Sequence, residues 1–232
     1  MRGAARIAVV IPALNEEQSI RHVLDAIPGW VDQVVVADNG SEDRTAEVAR
    51  GHGAHVVHEA RRGYGSACQA GLAAVSAPDV IVFLDADFSD HPEEMPRLVD
   101  PIVEGRADLV IGSRTLGRRE RRALGVHARF GNALACSLIR LFWRTRYTDL
   151  GPFRAVRRSC LEALSMRDAD YGWTVEMQVK AAASGLRVEE VPVSYRRRIG
   201  RSKISGTVRG VIGAGSTILW TILRAAVARS TR

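Results

Sequence analysis

The fold is decided by the stretch Val80-Ile81-Val82-Phe83-Leu84-Asp85-Ala86-Asp87. Its apolar run is typical of a strand buried on both faces, and two aspartates follow where that strand ends. Carboxylates at positions i and i+2 leave the strand together, and like charges so close repel each other. A divalent cation relieves that repulsion. Asp85 and Asp87 are therefore candidate ligands for Mg²⁺ or Mn²⁺.

The same pattern of apolar runs extends through the first half of the chain. Runs rich in Val and Ile predict strands at residues 7–11, 33–37, 55–58, 80–84 and 109–111. Segments of helical composition lie between them, at residues 17–27, 42–50, 65–76 and 93–104. This alternation predicts an α/β fold whose mainly parallel central sheet is flanked by helices. Ligands of such sheets bind beyond the carboxyl ends of the strands, here at residues 12–17, 38–43 and 85–91.

The second half of the chain is less regular. It predicts helices at residues 123–143, 171–184 and 207–228, and strands at residues 153–156 and 187–195. The last helix contains an uncharged run, residues 210–223, that is shorter than the roughly 20 residues needed to span a bilayer. That helix could lie at a membrane interface or pack on the protein's own sheet, and the sequence leaves both readings open.

Charge and cysteine content narrow the class of protein. The formal net charge is +7, and much of the positive charge falls in two clusters. They comprise Arg118, Arg119, Arg121 and Arg122, and then Arg196, Arg197, Arg198, Arg201 and Lys203. Such clusters bind anionic lipid or phosphate-bearing ligands, or form a solvated face. No aromatic-interleaved basic motif accompanies them, so a nucleic-acid partner is not expected. Sparse cysteines and the absence of a signal-peptide pattern predict a cytoplasmic protein.

Three segments resemble family 2 glycosyltransferases with a GT-A (Rossmann-like) fold. They are residues 9–17 (VVIPALNEE), 37–45 (ADNGSEDRT) and 85–87 (DAD). A closer resemblance, to polyprenyl (dolichol) phosphate mannosyl- and glucosyltransferases, adds further short motifs. These are DADFSDHP at 85–92, GSR at 112–114, FR at 153–154 and SK at 202–203. The resemblance implies a glycosyltransferase domain over residues 1–206, followed by an amphipathic helix and tail at 207–232.

The resemblance also implies a binding site for a nucleotide-sugar donor of the GDP-mannose or UDP-glucose type. Its implied residues are Pro12, Leu14, Asn15, Glu16, Asp38, Gly63, Gly65, Asp85, Ala86, Asp87, Arg201 and Lys203. Asp87 would be the principal ligand of Mg²⁺ or Mn²⁺, with Asp85 and Ser89 beside it. A hydroxyl is a modest ligand, so Asp90 could compete with Ser89. Arg201 and Lys203 lie in a segment similar to a loop that closes on the donor diphosphate.

The acceptor implied by the resemblance is a polyprenyl phosphate. A phosphate monoester is mostly dianionic near neutral pH, so it is already the nucleophile and needs cations rather than a general base. The resemblance places Arg114 and Arg129 near that phosphate. A hydroxyl acceptor would instead require a base, for which Glu176 is the best candidate and Asp149 another. The segment at 148–154 is one residue shorter than the spacing of the mannosyl enzymes, which leaves the sugar and the acceptor open.

Together these observations predict an inverting, metal-dependent hexosyltransferase that acts on polyprenyl phosphate. Its predicted catalytic residues are Asp85, Asp87, Arg114, Arg129, Glu176 and Lys203. The basic cluster before the helix at 123–143 favours peripheral contact with the cytosolic face of the cell membrane. Two alternatives stay open, a GT-A transferase with a soluble hydroxyl acceptor and a nucleotide- or lipid-binding module without turnover. The sequence makes no prediction of oligomeric state.

Overall fold

The computed structural model describes residues 4–121, 123–200 and 208–230. Strands and helices alternate through the first half, as the sequence predicts. The strands are β1 (Ile7–Ala13), β2 (Gln33–Asp38), β3 (His55–His58), β4 (Val80–Phe83), β5 (Leu109–Ser113), β6 (Arg154–Arg157) and β7 (Val188–Pro192). The helices are α1 (Ile20–Ala26), α2 (Thr45–Gly51), α3 (Tyr64–Ala74), α4 (Pro96–Val103), α5 (Val126–Trp143), α6 (Arg158–Leu164), α7 (Trp173–Ala183) and α8 (Val208–Ser230).

The strands form one sheet in the order β3-β2-β1-β4-β6-β5-β7. Strand β1 pairs in parallel with β2 and β4, β2 with β3, and β5 with β7. Strand β6 runs antiparallel to both of its neighbours, β4 and β5. The mainly parallel α/β architecture is therefore confirmed. Because β1, β2 and β4 run in one direction, the loops that follow them meet at the same edge of the sheet.

Helices cover both faces of the sheet, which is why its central strands are almost entirely apolar. Alternate residues of β1 pack on opposite faces of the sheet. Ile7, Val9 and Ile11 pack with α1, α2 and α4, whereas Val10 packs in the cluster that includes residues of α3, α5, α6, α7 and α8. All four of these β1 side chains are completely buried. The sheet thus holds the loops at its carboxyl edge on a rigid two-sided core.

Helix boundaries differ from the sequence predictions where polar residues first make a turn. The helix predicted at 17–27 begins at Ile20, since the Glu16 carbonyl accepts the N–H groups of Ser19 and Ile20. The helix predicted at 93–104 is divided into a 3-10 turn at Pro92–Glu94 and helix α4, with Pro96 in its first turn. Helix α6 was not predicted, because it begins directly after β6 with no intervening turn residue.

Helix α8 packs on α5 and α7. Its Ile222 is completely buried, whereas Trp220, Leu223 and Val227 are exposed. Among residues 4–121, 123–200 and 208–230, no helix has the length and hydropathy of a bilayer-crossing segment. The predicted boundary at residue 206, together with Arg201 and Lys203, lies outside the described residues and remains a prediction.

Candidate active site

A cavity of about 280 Å³ opens at the carboxyl edge of β1, β2 and β4. It is called the central cavity below. Its wall is formed by Pro12, Ala13, Leu14, Glu16, Asn39, Arg62, Gly63, Tyr64, Ala67, Asp85, Ala86, Asp87, Asp170, Tyr171 and Arg198. The three predicted ligand-binding loops therefore do meet at one place. Of the residues predicted for the donor site, Pro12, Leu14, Glu16, Gly63, Asp85, Ala86 and Asp87 are in this wall.

The two aspartates after β4 are held by different partners. Asp85 accepts a hydrogen bond from the Tyr64 hydroxyl, with an O···O distance of 3.1 Å. Oδ1 of Asp87 accepts both the N–H and the hydroxyl of Ser89. Its Oδ2 lies 3.2 Å from Nη1 of Arg198. Ser89, predicted as a metal ligand, is fully buried and orients the Asp87 carboxylate in this structure.

Burial and neighbouring charge perturb the ionisation of two aspartates in the loop after β4, Asp85 and Asp90. Burial and the neighbouring charge of Asp87 raise the pKa of Asp85 to about 7, while the hydrogen bond from Tyr64 and the charge of Arg114 oppose that rise. Burial and the charge of Asp85 raise the pKa of Asp90 well above its usual range. Both carboxylate oxygens of Asp90 are buried without a hydrogen-bond partner among the described residues. So much concentrated negative charge favours a bound cation.

Two predicted donor-site residues, Asn15 and Asp38, do not line the cavity but hold its loops together. Asn15 adopts a positive φ of 52°, and its side-chain oxygen accepts the N–H of Glu42. Asp38 is buried at the end of β2, where Oδ1 accepts the N–H of Ser41. Asn15 also donates its own N–H to the Ser41 hydroxyl. These bonds fix the loop after β1 against the loop after β2.

The remaining wall is a loop at 167–172 that packs against the start of α3. A Cβ atom on Gly63 would lie 2.2 Å from the Ala169 carbonyl oxygen, and one on Gly65 would lie 2.1 Å from that of Asp168. Such distances exclude any side chain at either glycine. Both glycines are thus required by the close approach of two backbones, and Gly65 itself lies behind the wall.

Glu176, predicted as a possible base, holds the same loop from the other side. Its carboxylate accepts the N–H groups of Arg167 and Asp168, the latter at 2.7 Å. Lys180 lies 2.8 Å from the same carboxylate. Glu176 is almost completely buried. Its observed contacts are those of a residue that orders the loop beneath the cavity.

Several cavity residues were not predicted. They are Ala13, Asn39, Arg62, Tyr64, Ala67, Asp170, Tyr171 and Arg198, none of which is among the residues predicted for the donor site. The Asn39 amide donates to the carbonyls of Glu59 and Arg61, so it ties the end of β2 to the loop before α3. Asn39 was within a quoted motif and could have been found. Arg198 could not, because it reaches the cavity from a distant segment.

A second depression, called the surface groove below, lies at the start of α5. Its volume is about 440 Å³. It is lined by Thr115, Arg119, Leu124, Val126, Arg129, Phe130, Asn132, Ala133 and Thr148. The groove therefore combines two arginines with apolar side chains, and it includes the predicted acceptor residue Arg129. Val126 and Phe130 are largely exposed.

Arg114, the other predicted acceptor residue, is held inside the protein. Its Nε and Nη2 donate to the two oxygens of Asp149 at 2.8 and 2.7 Å. Asp149 is fully buried, and Arg114 is 12% exposed. The Arg114 guanidinium also lies 5.1 Å from the centre of the Tyr195 ring. Thr115 follows Arg114 and Thr148 precedes Asp149, and both threonines line the surface groove. The Arg114–Asp149 pair therefore adjoins the groove.

The residues of the central cavity fit a hard divalent cation. Asp85 and Asp87 supply carboxylate oxygens, which Mg²⁺ and Mn²⁺ prefer, and Mg²⁺ commonly completes its coordination with water and substrate phosphates. In the part of the chain that the structure describes, no cluster of three or more His, Cys, Asp or Glu side chains is arranged to hold a metal. A cation here would thus depend on oxygens brought by a ligand.

Comparisons with known proteins identify the family. The family model "Glycosyl transferase family 2" matches residues 8–165. The chain belongs to glycosyltransferase family 2. An "Uncharacterized glycosyltransferase" of Mycobacterium tuberculosis (strain H37Rv) is 43% identical to this glycosyltransferase over 211 residues, which cover 89% of this chain and 93% of the relative. The "Dolichyl-phosphate hexose transferase" of Haloferax volcanii is 36% identical over 204 residues, covering 85% and 86%.

A solved structure resembles this glycosyltransferase along nearly its whole length. It is the glucosyl-3-phosphoglycerate synthase of Mycobacterium tuberculosis in complex with Mn²⁺, UDP-glucose and phosphoglyceric acid. The two share 27% sequence identity with a TM-score of 0.76, over 97% of this chain and 81% of the synthase. The predicted GT-A fold and the prediction of an enzyme are confirmed.

Proposed function

We propose that this glycosyltransferase transfers a hexose from a nucleoside diphosphate hexose to a polyprenyl phosphate, with inversion at the anomeric carbon. The surface groove is the observation that supports this acceptor. In it, Arg119 and Arg129 lie beside the apolar side chains of Leu124, Val126 and Phe130. Cations suit a phosphate, and the apolar side chains suit the first units of a polyprenyl chain. The dolichyl-phosphate hexose transferase among its relatives supports the same acceptor class.

The central cavity supports the donor half of the proposal. Its wall offers Arg62 and Arg198 for a diphosphate, carboxylates for a metal, and Tyr171 as a face on which a ring could stack. The resembling synthase binds Mn²⁺ and UDP-glucose. Both UDP-glucose and GDP-mannose remain candidate donors. Arg201 and Lys203, which lie outside the described residues, are proposed to close on the same diphosphate.

The reaction proposed here needs no general base. An oxygen of the acceptor phosphate bonds to the anomeric carbon while the bond from that carbon to the donor diphosphate breaks, and the electron pair leaves with the nucleoside diphosphate. Mg²⁺ or Mn²⁺, held by Asp87 with Asp85 and Ser89 as further proposed ligands, would neutralise the charge on the departing group. Both carboxylates considered as bases are otherwise engaged, Glu176 by backbone N–H groups and Asp149 by Arg114.

A hydroxyl of a small phosphate-bearing molecule is the alternative acceptor. It is favoured by the resemblance to the synthase that was solved with phosphoglyceric acid. The two acceptors require different side chains in the acceptor site. Polyprenyl phosphate needs the apolar part of the surface groove, whereas phosphoglyceric acid needs cations and a base but no apolar surface. An acceptor panel therefore separates the two proposals.

Arg129→Ala should lower kcat/KM for a short polyprenyl phosphate by about tenfold or more, because a charge-assisted hydrogen bond to phosphate is lost. Hydrolysis of the donor in the absence of acceptor should be unaffected. Arg140→Ala is the matched control, since Arg140 is an exposed arginine on the same helix but outside the groove. Equal rates for the two variants with polyprenyl phosphate, or transfer only to phosphoglyceric acid, would contradict the proposed acceptor.

Peripheral contact with an anionic membrane is the second part of the proposal. Val126, Phe130 and Leu141 on α5 are each about 70% exposed or more. Neither α5 nor α8 contains a single aspartate or glutamate. An apolar stripe with flanking arginines and no acidic residue suits an anionic lipid surface. A second copy of the chain would bring an equally cationic face and be repelled.

The double variant Phe130→Ser/Leu141→Ser should bind vesicles of phosphatidylcholine and phosphatidylglycerol at least about tenfold more weakly, since two exposed apolar side chains are lost. Binding is measured by co-sedimentation, with pure phosphatidylcholine vesicles as the comparison. Val103→Ser is the control, because Val103 is an exposed apolar residue on α4. If the unchanged chain is a dimer and the double variant is a monomer, the apolar stripe is instead a protein interface.

A further inference from the structure

Arg198 joins two acidic residues across the central cavity. Its Nη2 donates to Oε1 of Glu16 at 2.7 Å, and its Nη1 lies 3.2 Å from Oδ2 of Asp87. Glu16 and Asp87 follow β1 and β4, so one guanidinium neutralises carboxylates from two different strand exits. Both carboxylates are more than nine-tenths buried. The contact is thus part of a built site rather than a surface ion pair.

The backbone around Arg198 is fixed to the same strand exit. The N–H of Ile199 donates to the Asp87 carbonyl at 3.0 Å, and the N–H of Arg196 donates to the Ser89 carbonyl at 2.9 Å. The guanidinium can therefore change partners by side-chain rotation while its Cα stays beside the cavity. Its Nε is buried and has no hydrogen-bond partner among the described residues. That N–H is a donor to which a ligand oxygen could bind.

The Arg198 guanidinium lies beside Oδ2 of Asp87, the oxygen that a metal ion would bind. Oδ1 of Asp87 already accepts two hydrogen bonds from Ser89, and Oδ2 faces the guanidinium. A divalent cation on Asp87 would lie within a few ångströms of Arg198, and two positive charges at that distance repel. The metal and the guanidinium therefore compete for Asp87.

We propose that Arg198 is the resident counter-ion of Asp87, that a divalent metal displaces it, and that a nucleoside diphosphate takes up the displaced guanidinium. The metal and the nucleotide then bind cooperatively. The metal releases Arg198 for the diphosphate, and the diphosphate removes the competitor of the metal. Such coupling is reciprocal, so each ligand raises the affinity of the other by the same factor. The inference rests on the donor half of the proposed function and not on the acceptor.

The test is the binding of Mn²⁺ to the full chain, followed by electron paramagnetic resonance of the free ion, with and without UDP or GDP. Arg198→Ala should bind Mn²⁺ alone about tenfold more tightly than the unchanged chain, because a charged hydrogen-bonded competitor is gone. It should also lose most of the increase in Mn²⁺ affinity that the nucleotide produces. Arg198→Lys, which keeps a charge but not the fork of two nitrogens, should fall between them.

Arg197→Ala is the matched control, since it removes the same charge one position away. Arg197 is exposed, and its Nε donates to the Arg121 carbonyl rather than to a cavity carboxylate. It should bind Mn²⁺ as the unchanged chain does. The proposal is overturned if Arg198→Ala and Arg198→Lys, folded by circular dichroism, bind Mn²⁺ no more tightly than the unchanged chain, or if no chain binds Mn²⁺ with either nucleotide. No acceptor or turnover is involved, so failure of the proposed acceptor leaves this result intact.

Discussion

Asp87→Asn should abolish metal-dependent hexose transfer, lowering kcat/KM by about a thousandfold or more. The substitution keeps the shape of the side chain but removes the charge that a divalent cation requires. It also removes the counter-charge of Arg198, whose Nη1 lies 3.2 Å from Oδ2 of Asp87. Loss of one preorganised electrostatic contact commonly lowers a rate by two to three powers of ten. The measurement is kcat/KM as a function of Mn²⁺ concentration.

Asp25→Asn is the control for Asp87→Asn. Asp25 is an aspartate on α1 that is more than half exposed and pairs with His52, away from the central cavity. It should leave kcat/KM and its dependence on Mn²⁺ unchanged. If folded Asp87→Asn transferred hexose at the rate of the unchanged chain, Asp87 would have no part in catalysis.

The sheet could be predicted from the sequence because its strands leave a local signal. A strand buried on both faces must be apolar throughout, and residues 80–83 satisfy that condition without reference to the rest of the chain. The convergence of the loops after β1, β2 and β4 then follows from parallel pairing. Asp85 and Asp87 are in the cavity wall for this reason.

The partners of charged side chains could not be predicted, because they lie far apart along the chain. Arg198 and Glu16 are separated by 182 positions, and no spacing rule connects them. The sequence therefore predicts for Arg198 only membership of a basic cluster, which either binds anionic lipid or phosphate or forms a solvated face. The resemblance places Arg114 near the acceptor phosphate, but nothing in the sequence shows that Asp149 lies opposite its guanidinium. These ion pairs depend on the tertiary fold and not on local sequence.

Arg114→Ala should lower the free energy of unfolding by about 3–5 kcal/mol, because it leaves the buried Asp149 carboxylate without its cationic partner. Both oxygens of Asp149 accept from the Arg114 side chain, and Oδ2 also accepts the Arg114 backbone N–H at 2.8 Å. Unfolding by urea, followed by circular dichroism, measures the change. Arg158→Ala is the control, because it removes an exposed pair with Glu162 that is worth about 0.5 kcal/mol.

The double variant Arg114→Met/Asp149→Leu separates the stability of the pair from its use by a ligand. Replacing both partners with apolar side chains removes the unpaired charge, so much of the lost free energy of unfolding should return. If Arg114 also contacts the acceptor phosphate, this folded variant should still transfer hexose to polyprenyl phosphate poorly. Donor hydrolysis should persist, since neither residue lines the central cavity. Full transfer by the double variant would restrict Arg114 to a structural role and leave Arg119 and Arg129 as the cations of the acceptor site.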